Sequence, residues 1–339
     1  MTGAKRGRSF VSAQQVAELA GVSRSAVSRT FTEGASVSEA TRERVLEAAQ
    51  SLGYHVNHLA RGLINESSGI VCLIAGDVAT PYQSRMLDAI SRRLQAINQV
   101  AMLINTSGDG ESVAKALRQT LNYRAQATIV LSGAPPAALI ETCVASGQHV
   151  ILINRDDPVT GPENIVVDNV AAAGEAFHML RRAGCSRIAV VSSLAGTPSI
   201  VGREEAFRQA AAAEGLEVTV ARTGPTAYAS GYEAARQLLA RSDRPDAAFC
   251  VTDLLACGFL DGARTEFGMA VPDELCVVGF DDIEQAGWAS YGLTTFRQPI
   301  DQMADHIIAK LAAGEPGVSA PTITTFPVTP VWRRTVRPK

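Results

Sequence analysis

From Ile70 onward, apolar runs of strand length alternate with amphipathic stretches of helix length, and this alternation constrains the fold more than any other feature of the chain. The strand-length runs fall at 70–75, 100–104, 128–131, 150–153, 165–167, 188–191, 218–221, 247–251 and 276–278. Helical patterns fall between and after them, at 82–98, 112–123, 136–146, 170–183, 203–214, 231–241, 254–267 and 300–313. Neighbouring parallel strands need a crossover of a dozen or more residues, which a helix supplies. The alternation therefore predicts parallel sheets covered by helices. About ten strands exceed what one small doubly wound domain uses, so two similar lobes are expected.

Residues before Ile70 have a different texture. Val16, Leu19 and Ala20 stand at i, i+3, i+4 behind a capping residue at Ser12, and Gly21 follows. A second short helix opens at Ser23, a good N-cap, and turns Val27, Thr30 and Phe31 inward. A third starts at Ser38, buries Val45, Ala49 and Leu52, and stops at Gly53. The chain carries a net charge of -3, so any surface for nucleic acid has to be local. Between Met1 and Thr32 the cations Lys5, Arg6, Arg8, Arg24 and Arg29 face Glu18 alone. On the second helix Arg24, Ser25, Ser28 and Arg29 share the face opposite Val27 and Phe31. Small residues at Ala17, Ala20 and Gly21 allow two helices to cross closely, as a helix-turn-helix requires. Arginine can read guanine bidentately, and serines at a helix start, here Ser23 and Ser25, suit phosphate.

Hydrophobic residues make up 46% of the chain and charged residues 19%, which fits a globular protein with a core. The six cysteines are scattered through apolar stretches without a C-x-x-C, and read as buried small hydrophobes in a reducing compartment. No apolar leader core follows Lys5-Arg6-Gly7-Arg8, and no apolar run reaches the ~20 residues of a membrane span. A cytoplasmic protein with no membrane partner is expected.

The stretch Val16-Ala17-Glu18-Leu19-Ala20-Gly21-Val22-Ser23-Arg24-Ser25-Ala26-Val27-Ser28-Arg29 closely resembles the signature of the lactose-repressor (LacI/GalR) family of bacterial transcriptional regulators. The resemblance continues through Val37–Val45 and Leu52-Gly53-Tyr54. It implies a helix-turn-helix domain over 10–54 and a hinge over 55–68. A two-lobed domain of the periplasmic-binding-protein fold would follow over 69–334, with lobe 1 about 69–165 and 296–330 and lobe 2 about 166–295. The implied partners are a roughly palindromic double-stranded DNA operator, a second copy of the chain in a homodimer, and a small-molecule effector, most commonly a sugar or sugar derivative. Arg24 and Ser25 would vary with operator sequence, and Arg29 would be a shared base reader. Ala26 and Thr32 depart from the family's usual threonine and asparagine. Asn57, Ala60 and Leu63 match the family's hinge helix, with Leu63 as an apolar wedge in the minor groove.

In the second domain the supporting motifs are Pro81-Tyr82, Asp168-Asn169, Arg203–Phe207, Thr252-Asp253, Gly279-Phe280-Asp281-Asp282-Ile283, Leu293-Thr294-Thr295 and Gln298-Pro299. Ligands of open α/β sheets bind beyond the carboxyl ends of strands. The polar residues expected there are Asn105, Ser132, Asn154, Arg155, Asp253 and Asp281, with Arg203 facing them from the second lobe. Tyr82 and Trp288 can stack on an apolar ring face. Asp253 also suits a helix cap, and Trp288 also suits the core or a lobe contact. Asp168 and Asn169 read as a cap and a turn. Catalysis finds no support: G-x-S-x-G, G-x-G-x-x-G and P-loop motifs are absent, and the five histidines have no metal-ligand spacing. No cofactor and no metal are expected. A transport-type binding protein would have no use for residues 10–64.

Overall fold

The structure is a computed structural model describing residues 11–32, 34–55, 68–155, 161–313 and 322–338. It divides into two compact units, Met1–Ser68 and Gly69–Lys339.

The first unit contains α1 (Ala13–Ala20), α2 (Arg24–Thr30) and α3 (Glu39–Leu52). Local chemistry sets their ends. Ser12 and Gln15 form a reciprocal capping box, and Gly21 ends α1 at φ 64°, a conformation that costs glycine little. Ser23 caps α2 by accepting from the Ala26 N–H at 3.2 Å. Arg42 on α3 donates to the Thr30 carbonyl at 3.0 Å, satisfying the end of α2. The core is built from Val16, Ala17, Ala20, Val27, Val45, Ala48 and Ala49, with Phe31 and Tyr54 packed at its edge. Two expectations are corrected. Leu19 is 57% exposed, because Val16, Ala17 and Ala20 form the inward face. On α3 Ala48 lies inside, while Leu52 is half-buried.

The second unit holds two parallel sheets. The first is six-stranded, in the order β11-β5-β4-β3-β1-β2. Its strands are β1 (Ile70–Gly76), β2 (Val100–Thr106), β3 (Ala127–Val130), β4 (His149–Ile153), β5 (Glu163–Val167) and β11 (Thr322–Phe326). The helices that follow its first strands are α4 (Pro81–Ala96), α5 (Gly110–Asn122) and α6 (Ala137–Ala145). The second sheet is four-stranded, in the order β7-β6-β8-β9. It consists of β6 (Ile188–Ser193), β7 (Thr219–Thr223), β8 (Ala247–Cys250) and β9 (Cys276–Val278). Its helices are α7 (Asn169–Arg182), α8 (Pro198–Ala213), α9 (Tyr228–Leu239) and α10 (Asp253–Thr265), and a short 3-10 turn covers Glu284–Gly287. Every residue of β1 is buried, as expected of a parallel strand covered on both faces. Edge strand β2 alternates between exposed and half-buried positions.

The chain passes between the sheets three times. The first passage follows β5, after which α7 packs on α8, β8 and β9. The second runs through β10 (Thr295–Arg297) to α11 (Ile300–Ala313), which packs on α4. The third runs through β12 (Thr329–Val331), antiparallel to β10. Beyond it Thr335 exchanges hydrogen bonds with Val277, so the end of the described chain rejoins the second lobe. Thus β5 carries the first lobe to Val167, two residues past the expected limit of 165, and the second lobe includes residues beyond 334. The segments of β10, β11 and β12 are rich in threonine and lack an apolar run, so the sequence pattern does not mark them as strands. Helix α8 starts at Pro198, five residues before the expected 203, and Pro198 in its first turn is a start signal.

Candidate functional site: an inter-lobe cleft and an exposed helix face

A cleft of about 930 Å³, its open mouth included, lies where the carboxyl ends of both sheets meet. The first lobe contributes Asp77 after β1, Tyr82 on α4, Ser132 after β3, and Asn154 and Arg155 after β4. The second contributes Thr197 and Arg203 on either side of the α8 start, Thr226, Thr252 after β8 and Asp281 after β9. Gln298 reaches it from the strand connection.

Arg203 organises the cleft. Its side chain is 3% exposed. It donates from Nε to Asn169 Oδ1 at 2.9 Å, and from Nη1 to the Val251 carbonyl at 2.9 Å and Asp281 Oδ1 at 3.4 Å. Its guanidinium carbon stands 3.5 Å from the centroid of the Phe280 ring, a cation–π contact. A buried charge is tolerated only when paired and hydrogen-bonded. Burial lowers the Arg203 pKa, while Asp281 pulls it back up. Burial likewise raises Asp281 to about 6, against the opposing pull of Arg203 and the Gln298 amide, which donates to Oδ1 at 2.7 Å. On the opposite wall Asn154 donates to Tyr82 Oη at 3.1 Å. Desolvation lifts the Tyr82 phenol to about 12, so it stays neutral. Ser132 Oγ accepts the Gly76 N–H at 2.6 Å, and Arg155 donates to the Gly133 carbonyl. Four buried polar atoms on lining residues lack a protein partner among the described residues: Gln83 Oε1, Asn154 Oδ1, Thr252 Oγ1 and Gln298 Oε1.

The other candidate surface lies on α2. Ser23, Arg24, Ser25, Ser28 and Arg29 are all exposed on this helix and at its cap, while Val27 and Thr30 anchor the opposite face. The bonds these side chains make are local: Ser23 Oγ with Ser25 Oγ at 2.9 Å, and Arg29 Nε with the Ser25 carbonyl at 3.4 Å.

Family models match at two places, "Bacterial regulatory proteins, lacI family" over residues 13–57 and "Periplasmic binding protein-like domain" over residues 177–336. The chain is 30% identical over 297 residues to the HTH-type transcriptional regulator GalS of Salmonella typhimurium, covering 87% of each protein. It is also 30% identical to the ribose operon repressor of Escherichia coli, covering 86% of this chain and 89% of the relative. The chain belongs to the lacI family of bacterial regulatory proteins. Its fold follows that of the lac repressor in the crystal structure of the dimer bound to operator and the anti-inducer ONPF, with a TM-score of 0.85 at 23% identity, covering 96% of this chain and 99% of that one. As a lacI-family member, the chain is a helix-turn-helix DNA-binding transcriptional regulator.

Within this lacI-family member the cleft gathers Tyr82, Ser132, Asn154, Arg155, Arg203 and Asp281. Three other expected cleft residues lie elsewhere. Asn105 is exposed on β2, an edge strand outside the cleft. Trp288, 48% exposed, follows the 3-10 turn and reaches neither cleft nor core. Asp253 is fully buried below the cleft, and both its oxygens are engaged, Oδ2 by the Ile283 N–H at 3.0 Å and Oδ1 by Thr295 Oγ1–H at 2.6 Å. Thr252, not Asp253, precedes α10 as its cap residue. A Cβ at Gly279 would collide with Asp253, which accounts for glycine at that position of the Gly279–Ile283 motif. Thr252 and Gln298 were visible only as motif members, although strand-end position pointed to Thr252. Asp168 does cap α7, accepting from the Ala171 N–H at 2.9 Å, but Asn169 orients Arg203. Asn57, Ala60 and Leu63 lie outside the described residues.

Proposed function

We propose that the chain is a cytoplasmic, non-enzymatic repressor that binds a roughly palindromic operator as a homodimer. A neutral, polyhydroxylated effector, a sugar or sugar derivative, binds in the inter-lobe cleft and changes operator affinity. The observation that carries the cleft half of this reading is the set of partnerless buried atoms, Gln83 Oε1, Thr252 Oγ1, Asn154 Oδ1 and Gln298 Oε1, beside a charge-balanced Arg203–Asp281 pair. Carbonyl acceptors suit ligand hydroxyl donors, and a compensated arginine offers an anion little. The sugar named for the ribose operon repressor supports the same class. On the DNA half, exposed Arg24 and Arg29 with Ser23, Ser25 and Ser28 suit a recognition helix in the major groove, with Asn57, Ala60 and Leu63 entering the minor groove.

The test begins with selection of fragments from the source genome by purified protein at stated salt, with and without a pool of neutral sugars. Enrichment of one palindrome that the pool shifts supports both halves. Absence of enrichment under either condition refutes operator binding. Thr252→Val then interrogates the cleft. Removing a hydroxyl that bonds nothing in the protein leaves the melting temperature unchanged. It raises the sugar concentration needed for half-response at least tenfold, the equivalent of about 1.4 kcal/mol. Unchanged sugar potency would place the effector elsewhere.

A further inference from the structure

Asp281 and Asp282 are consecutive residues, and both have positive φ, 120° and 51°. Non-glycine residues rarely adopt such angles, and two in succession aim adjacent carboxylates at different surroundings. Asp281 belongs to the cleft through Arg203 and Gln298. Asp282 belongs to the strand connections. Its Oδ2 accepts from Arg297 Nε at 2.6 Å, and its Oδ1 from Arg333 Nη2 at 2.6 Å. Arg297 is on β10 and Arg333 follows β12, the antiparallel pair by which the chain crosses between lobes. The Asp282 carbonyl accepts from Arg85 Nη1 at 2.8 Å, and Arg85 lies on α4, one turn beyond Tyr82. One 7%-exposed residue of the second lobe thus holds both crossing strands and a first-lobe helix.

We propose that Asp282 and Arg85 are positioning residues that set the opening of the two lobes and pass a change at Asp281 to α4. This deepens the cleft reading above and rests on it for the nature of the signal. The transfer passes between adjacent residues. Turning the Asp281 carboxylate toward a ligand rotates the 281–282 peptide, whose neighbouring carbonyl is the acceptor for Arg85. The Arg297 and Arg333 guanidiniums hold the Asp282 carboxylate fixed meanwhile, so the displacement goes to α4 and not into a loose loop. Hinges of this kind concentrate the backbone change in a few residues while the lobes move as rigid bodies.

The test uses the full-length, ligand-free protein, so its result does not depend on the effector's identity. Lys115→Cys on α5 and Arg208→Cys on α8 place nitroxide labels on exposed sites of opposite lobes, and the six native cysteines are buried. Pulsed dipolar spectroscopy reads the inter-lobe distance distribution. Arg85→Ala broadens or shifts it, and Arg85→Lys, whose ammonium can still donate to the carbonyl, restores it toward wild type. Asp281→Asn shifts it in the wild-type background, and that shift shrinks at least twofold in Arg85→Ala, the non-additivity of residues acting in one chain. An unchanged distribution in Arg85→Ala, no shift with Asp281→Asn, or equal shifts in both backgrounds overturns the proposal. Should Arg85→Ala fail to fold, Arg85→Met, which keeps the apolar stem and has no donor, gives the same comparison. Failure here leaves the Thr252→Val result intact, and failure there leaves these distances intact, so the two readings fall separately.

Discussion

The face of α2 and the inter-lobe cleft both depend on arginine, yet they treat it in opposite ways. Arg24 and Arg29 stay in water on a seven-residue helix, with contacts no further away than one turn. Arg203 is withdrawn from water and tied to residues 34, 48 and 78 positions away. A cation that has to meet a phosphate or a base edge keeps its charge uncommitted until the partner arrives. A cation that shapes a cavity has its desolvation offset by built-in partners, or the cavity collapses. Arginine's exposure and bonding, not its presence near a strand end or helix start, separate a docking charge from a scaffold charge.

Truncating one arginine of each kind separates the two regions by the widest margin. Arg203→Ala leaves Asp281 buried without its counter-charge, and breaking a buried pair on one side costs about 3–5 kcal/mol. Arg24→Ala, on an exposed face, changes stability by no more than about 0.5 kcal/mol. Both tryptophans, Trp288 and Trp332, lie in the second unit, so their fluorescence follows urea unfolding of the cleft-bearing unit. Amide hydrogen exchange within α1, α2 and α3 follows the helical unit. Equal losses for the two variants would erase the distinction. Adding Asp281→Asn to Arg203→Ala sharpens it, because removing the stranded charge recovers part of the loss.

What the sequence made legible follows the same division. The first unit was readable because its determinants are local: Ser12, Ser23 and Gly53 each act within about one turn of their own helix end. The larger of its two misplacements, Leu19, reflects a narrow ambiguity, since Val16 and Ala20 share a face with either Ala17 or Leu19. In the second unit the strands were readable as apolar runs, but the site was only partly so. Asn105 and Asn154 both end apolar strands, and local sequence ranks them equally. Strand order separates them: β2 is at the edge of the sheet, while β4 lies between β3 and β5. Asp253 and Asp281 likewise both follow strands of the second sheet. Only the folded chain brings Thr295 and the Ile283 N–H onto the first, and Arg203 and Gln298 onto the second.

Asp253 gives a second, smaller contrast, between a buried acid that braces and a buried acid that lines. Asp253→Ala strands the Ile283 N–H and the Thr295 hydroxyl, at about 1–3 kcal/mol for each buried group left unpaired. Its protonation adds a pH signature. Burial first, and then the charge of Asp281, raise Asp253 to about 7 from the ordinary 3.8. The folded state therefore holds the proton more tightly than the unfolded chain. The associated stability is fully present below about pH 4 and is lost as pH rises through about 7. Asp281, raised to about 6, acts in the same sense. His149, depressed by burial, acts oppositely, losing stability as pH falls below its ordinary 6.5. The difference between wild type and Asp253→Asn isolates one group: the wild type loses more stability than the variant between pH 5 and pH 8. Parallel pH profiles for the two proteins would show that Asp253 is ionised throughout.

Ser23 tests the exposed side, since its cap coincides with a place in the proposed DNA-facing set. Ser23 Oγ accepts the Ala26 N–H, and a helix of seven residues has few other bonds to hold its first turn. Ser23→Ala removes the cap and destabilises the helical unit by about 1 kcal/mol. Ser23→Asp keeps an oxygen in place for the same N–H and adds a charge that the helix N-terminus favours, so the helical unit melts no lower than wild type. Placed against a phosphate, that charge repels, and operator affinity falls although the fold is intact. A scaffold residue and a docking residue thus give different answers to the same substitution. Full operator affinity in Ser23→Asp would assign Ser23 to the cap alone and leave Arg24, Ser25, Ser28 and Arg29 as the DNA-facing set.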